Sequence, residues 1–242
     1  MNTYGIQLYS VRDAMEKDVE STLQKIAEMG YKYVEFAGFF GHGAEEICQM
    51  LDKANLACSG THSRLDELRP TRILETISYH KAIKNPYFII PWADLSTLEK
   101  IEDFCNVVNY AKPILEAEGI RLGYHNHSQE FVVMPWGSTI HSELEKRTSI
   151  DFEIDTYWVF NADVDPIAVL DRLKDRVRVI HLKDGFKGGK GMYLGAGEAP
   201  LKRVIDYASS HGLTMIVESE TITPTGLDEA ELCMKYLKEL EN

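Results

Sequence analysis

Arg121-Leu-Gly-Tyr-His-Asn-His-Ser-Gln-Glu-Phe131 reads as a buried strand that stops on polar groups: His125, His127 and, just beyond them, Glu130. Side chains alternate along a strand, so His125 and His127 are expected on one face. Three later stretches end the same way. They are Phe152-Glu-Ile-Asp-Thr-Tyr-Trp158, Val179-Ile-His-Leu-Lys-Asp184 and Met215-Ile-Val-Glu-Ser-Glu220. Apolar runs that finish repeatedly on imidazoles and carboxylates point to one polar site at one end of one sheet.

Outward from that stretch the chain repeats one unit. Strands are read at Tyr4–Ser10, Tyr31–Ala37, Leu56–His62, Pro86–Pro91, the His-Asn-His stretch, Ile150–Trp158, Val177–Asp184 and Leu213–Glu220. Helical spacing fills the gaps. Helices are read from Val19 to Gly30, Ala44 to Ala54, Arg64 to Ile83 with Pro70 as a break, and from a capping box at Ser96–Glu99 to Gly119. Four more follow, over 138–147, from Asp165-Pro166 to Lys174, from Pro200 to Gly212 and from Leu227 to Leu240. Gly30 and Asn55 suit left-handed helix ends. The strands are near-continuous apolar runs, as in parallel sheets covered on both faces. Eight strand–helix units predict an α/β fold, a (β/α)8 TIM barrel forming a single domain over 1–242. An open doubly wound sheet is the runner-up, but the turn after the first strand, Ser10-Val-Arg-Asp13, lacks the glycines such a sheet uses for phosphate.

Composition narrows the function. With 44% hydrophobic and 26% charged residues the 242-residue chain is an ordinary globular protein. Its formal charge of −12 argues against nucleic acid or an anionic membrane as partner. No apolar run approaches the roughly 18 residues of a membrane span. The N-terminus enters a strand with no basic-then-apolar leader, and Cys48, Cys58, Cys105 and Cys233 form no C-x-x-C. A cytoplasmic protein with free thiols is expected. Oligomeric state is not legible, and a homo-oligomer is compatible.

In such a barrel the site lies at the C-terminal strand ends. His125 or His127, with Asp155, His181 and Glu218, offers two imidazoles and two carboxylates. That set suits one divalent ion, Mn²⁺, Co²⁺ or Zn²⁺ before Mg²⁺. Gln7, Tyr9, His62, Trp158 and Lys183 occupy the remaining strand ends, where substrate would lie. Tyr193-Leu-Gly-Ala-Gly-Glu198 reads as a connecting loop with a weak phosphate-cradle pattern. Five glycines near Lys187–Gly191 and Gly195–Gly197 predict a mobile cover.

These motifs carry a resemblance. Gln7-Leu-Tyr-Ser-Val-Arg12, Tyr124-His-Asn-His-x-x-Glu-Phe131, Glu153-Ile-Asp-Thr-Tyr-Trp158, His181-Leu-Lys-Asp184 and Val217-Glu218 resemble the xylose isomerase-like barrels, in their sugar phosphate isomerase/epimerase branch. The resemblance implies one divalent metal on Asp155, His181, Glu218 and a fourth ligand on strand five. The family's glutamate is missing there, and His125 is the expected substitute with His127 as alternative. The Tyr-His-Asn-His pattern is equally similar to inosose dehydratase. The implied activity is isomerisation or epimerisation of a keto-sugar, sugar phosphate or cyclitol through an enediolate. Dehydration from the same intermediate is the alternative, and a non-catalytic sugar-binding barrel a further one. The general base falls to Glu218, His127 or Glu130, and Lys183 steadies an oxyanion. Glu218 is the leading choice, because an apolar approach would raise its basicity. The barrel also resembles endonuclease IV, but eight histidines and the acidic charge disfavour a multi-zinc DNA site.

Overall fold

The computed structural model describes residues 2–241. Eight parallel strands close into a barrel in sequence order: β1 (Tyr4–Gln7), β2 (Tyr33–Ala37), β3 (Ala57–His62), β4 (Tyr87–Ile90), β5 (Arg121–His125), β6 (Asp151–Asp155), β7 (Val177–Leu182) and β8 (Thr214–Val217), with β8 pairing β1. Helices cover the outside, and their inward stripes make one core with the outward-facing strand residues, such as Phe36, Phe88, Leu122, Ile180 and Val217. Gly30 and Asn55 end their helices in left-handed geometry, as their residue types predict.

Several boundaries differ from the sequence reading, and each difference has a local cause. The Arg64–Ile83 segment is a single 3-10 turn (Leu65–Leu68) followed by a helix from Ile73 to Ala82, split at Pro70. The cap of the long Leu98–Ala117 helix is Thr97, whose side chain accepts from Lys100 N. β6 stops at Asp155, because the Asp155 carboxylate accepts the Trp158 amide at 2.9 Å and starts a short helix, Thr156–Asn161. Trp158 is therefore helical. β1 likewise gives way after Gln7, whose side-chain oxygen caps the amide of Tyr9.

Alternation builds the barrel interior in tiers. At the bottom, Tyr87, Ile89, Val179 and Ile216 form an apolar plug with Tyr33 packed on it. Two residues further along the same faces come Glu35, His181 and Glu218. β6 turns Asp151, Glu153 and Asp155 the same way. The apolar plug closes the bottom, so the polar tiers open only toward the C-terminal mouth.

A separate buried polar group sits between β3 and its helix. His80 is 1% exposed, packs its ring against Phe39 and Phe88, and accepts from Asn85 Nδ2 at 2.7 Å. Burial pulls its pKa from 6.5 down to about 4. The neutral ring thus favours folding fully above 6.5, and this contribution is lost as pH falls toward 4. The span corresponds to at most about 3 kcal/mol. His80→Leu should flatten the fall in unfolding free energy between those pH values, read by urea titration. Parallel profiles for the variant and the parent would contradict it.

Candidate functional site

The lower polar tier is a knot of imidazoles and carboxylates, buried except where His62 reaches the pocket. Glu153 Oε2 lies 2.8 Å from His62 Nε2, 3.1 Å from His125 Nδ1 and 3.3 Å from His181 Nε2. Glu35 Oε2 lies 2.7 Å from His181 Nε2 and 3.3 Å from His62 Nε2, and accepts from Gln7 Nε2 at 2.7 Å. Burial, then the charge of Glu153, pushes the Glu35 carboxyl up to about 7. Burial works against the charge on Glu153 too, yet His181, His125 and His62 together hold it well below the ordinary range. Burial also opposes charge on His181, but Glu153 and Glu35 lift it well above 6.5, whereas burial dominates at His125 and keeps that ring neutral. Gly60 is required beside this knot, since a Cβ there would come within 2.8 Å of Glu35 Oε1. Gln7, expected to touch substrate, is instead fully buried and orients Glu35.

The upper tier is organised by Lys183. Its ammonium is 2.9 Å from Asp155 Oδ2, 2.8 Å from Glu218 Oε2 and 2.7 Å from Glu220 Oε1, and sits 5.1 Å from the centre of the Trp158 ring. Burial opposes the charge on Lys183, but Asp155, Glu218 and Glu220 outweigh it and raise the pKa above the ordinary value. The same contacts reverse the expectation for Glu218. Burial does push its pKa up, but Lys183 and His181 overcome this and hold it well below 4.5. Glu218 is thereby held ionised and is a weak base.

Ligand atoms of His125, Asp155, His181 and Glu218 all fall within 4.8 Å of one another, as do those of His62, His125, Glu153 and His181. His181 stands between the tiers, with Nδ1 3.0 Å from Glu218 Oε2 and Nε2 facing Glu35. Above them opens a pocket of about 430 Å³, whose lining includes Tyr9, His62, Trp92, His127, Trp158, Lys183, Glu218 and Glu220. His127 follows β5 in a turn, its ring edge-on to His125 at 5.1 Å. His127 Nδ1 and Trp158 Nε1 are buried without a hydrogen-bond partner. Burial lowers the His127 pKa, so its ring is neutral near pH 7.

Glu130 does not join them. Its carboxylate accepts the His127 amide at 2.8 Å and the Tyr124 hydroxyl at 2.9 Å, which makes it a strap for the turn and removes it as a base. Glu35 and Glu153 are the functional-tier residues that the sequence reading left without a role. The available signal was parity: Glu153 lies two residues before Asp155 on one strand.

The Gly-rich segment after β7 departs from the expected cover. Asp184 is 2% exposed, and its carboxylate accepts the amides of Gly185, Gly195, Gly197 and Ala199 at 2.8, 2.9, 3.0 and 3.0 Å. Leu194 is buried beneath. A Cβ at Gly197 would lie 2.5 Å from Asp184 Oδ1. The segment is clasped at its base, and its longest exposed run is 186–190. Amide exchange should therefore be slow at Gly195, Gly197 and Ala199 and much faster across 186–190. Uniformly fast exchange through Ala199 would contradict the clasp.

Comparison with known proteins agrees with this architecture. A sugar phosphate isomerase/epimerase of Parabacteroides distasonis superposes with a TM-score of 0.82 at 22% identity, over 98% of this chain and 94% of that one. The probable 3-DHS dehydratase AsbF of Bacillus anthracis gives 0.76 at 11% identity, over 98% and 99%. A D-allulose 3-epimerase of Methylomonas sp. gives 0.72 at 12%, over 98% and 97%. At these identities the likeness is one of fold. No functionally curated protein matches the chain. The sequence model of the xylose isomerase-like TIM barrels matches residues 23–240, and the chain belongs to that family.

Proposed function

We propose that the protein is a metal-dependent isomerase or epimerase of a keto-sugar or cyclitol, working through an enediolate. The observation that carries this is the meeting of His125, Asp155, His181 and Glu218 with a charged Lys183 under one pocket at the barrel mouth. The donor set fits a divalent ion: two imidazoles and two carboxylates converge, and the carboxylates balance its charge. When bound, such an ion supplies positive charge to adjacent substrate oxygens.

The chain's own groups divide the remaining work. Lys183 keeps its proton firmly, so it offers fixed positive charge to an oxygen that becomes negative. Loss of a β-hydroxyl would instead need an acid that releases its proton, for which Lys183 is poorly suited. The unpartnered Trp158 Nε1 can donate to a hydroxyl. His127 is neutral, lines the pocket and has a free nitrogen, so it takes the proton from the carbon next to the carbonyl. Glu218 is a ligand in this scheme.

Two measurements test the assignment. The purified protein should bind about one divalent ion per chain, and Asp155→Ala or His181→Ala should lose it. Full occupancy in both variants, by elemental analysis, would remove this ligand set. In D₂O with Mn²⁺, His127→Ala should lower deuterium uptake into a keto-sugar substrate at least about 100-fold while metal content stays unchanged. Normal exchange in His127→Ala, with exchange lost but metal kept in Glu218→Gln, would move the base to Glu218.

A further inference from the structure

We infer that the pocket takes an uncharged, unphosphorylated sugar. This rests on the keto-sugar reading for the reacting end of the molecule and adds what the rest of the substrate must lack.

The first observation is the Asp184 clasp. Barrels of this type commonly bind phosphate with backbone amides in the loops after strands seven and eight. Here the loop after β7 does gather amides, from Gly185, Gly195, Gly197 and Ala199, but all four donate to the buried Asp184 carboxylate. The chain has supplied its own anion, and an incoming phosphate finds the donors taken.

The second observation is charge. Among the described residues that line the pocket, Lys183 is the sole lysine or arginine, and three carboxylates stand within 2.9 Å of its ammonium. Arg12 lies at the rim, but its guanidinium donates to the Tyr9 and Glu220 carbonyls at 2.6 and 3.1 Å and stacks on the Tyr9 ring. A phosphate ester carries about −1.5 to −2 charges. In this pocket it would face Glu218 and Glu220 with no uncommitted lysine or arginine lining the walls. Like charges brought together in this way oppose binding.

The third observation is the wall itself. Tyr9, Trp92 and Trp158 line the pocket, and Trp92 is 59% exposed and Tyr9 45% exposed at its mouth. Aromatic faces with a few polar atoms between them match the C–H faces and hydroxyls of a neutral sugar.

The test measures equilibrium binding to the Mn²⁺-loaded wild-type protein by isothermal titration calorimetry. The probes are D-fructose and D-tagatose, their 6-phosphates, and orthophosphate. Each ester should bind at least about tenfold more weakly than its parent, and orthophosphate should show no saturable binding. An ester that equals or exceeds its parent, or orthophosphate that saturates the pocket, overturns the inference. Orthophosphate needs no correct sugar, so the charge argument is tested even where neither ketose fits. Deuterium uptake on the same samples separates the two readings. Exchange into a tighter-binding ester removes the charge argument and keeps the proton chemistry. Neutral sugars that bind but never exchange do the reverse.

Discussion

Burial of charge without an unpaired charge is the constraint on which the site depends. Glu35, Glu153, Asp155, His181 and Lys183 are all at most 1% exposed. An isolated ion at such depth is prohibitively costly, and only mutual pairing makes the arrangement stable. The pairing is laid out vertically. His181 answers Glu35 and Glu153 below, and Lys183 answers Asp155, Glu218 and Glu220 above. Each member's protonation follows from its neighbours. Glu35, buried and with another carboxylate close by, rises to about 7, while Glu153, among three imidazoles, falls.

The fold was legible because the barrel writes a short period into its sequence. Glycine-terminated helices running straight into apolar strands, as at Gly30 and Gly212, leave little choice of architecture. The ends of the strands were less legible, for one recurring reason. At Gln7 and Asp155 a polar side chain turns back to cap the backbone and converts a strand into a helical turn. Period alone cannot show this, because capping depends on a side chain's rotamer.

The candidate site was legible in its residues more than in their roles. Strand-end position grouped His125 or His127 with Asp155, His181 and Glu218, and the structure brings ligand atoms of His125, Asp155, His181 and Glu218 within 4.8 Å of one another. Parity could not say that Lys183 would reach between Asp155 and Glu218, nor that this would depress the basicity of Glu218. A strand-end carboxylate with apolar neighbours in sequence looks desolvated. In space its nearest neighbours come from other strands, and their charges outweigh desolvation. Glu130 failed for the opposite reason. It stands three residues from His127, the spacing of a capping box, and that local use takes precedence over catalysis.

Asp184 shows the same physics at the next position along the chain. His181, Lys183 and Asp184 come from one short stretch, yet they face different tasks. The first two point inward along one face of β7, while Asp184 turns outward and gathers four amides. A buried carboxylate needs donors, and glycines at 185, 195 and 197 let the backbone approach closely enough to provide them. The glycines at 185, 195 and 197 therefore serve close approach. Fixing the loop keeps Gly191 against Glu220, whose amide donates to the Gly191 carbonyl at 3.0 Å, and Glu220 in turn holds Lys183. The loop thus reaches the ammonium at the pocket floor through two hydrogen bonds and a side chain, and the position of that charge depends on the loop's folded base.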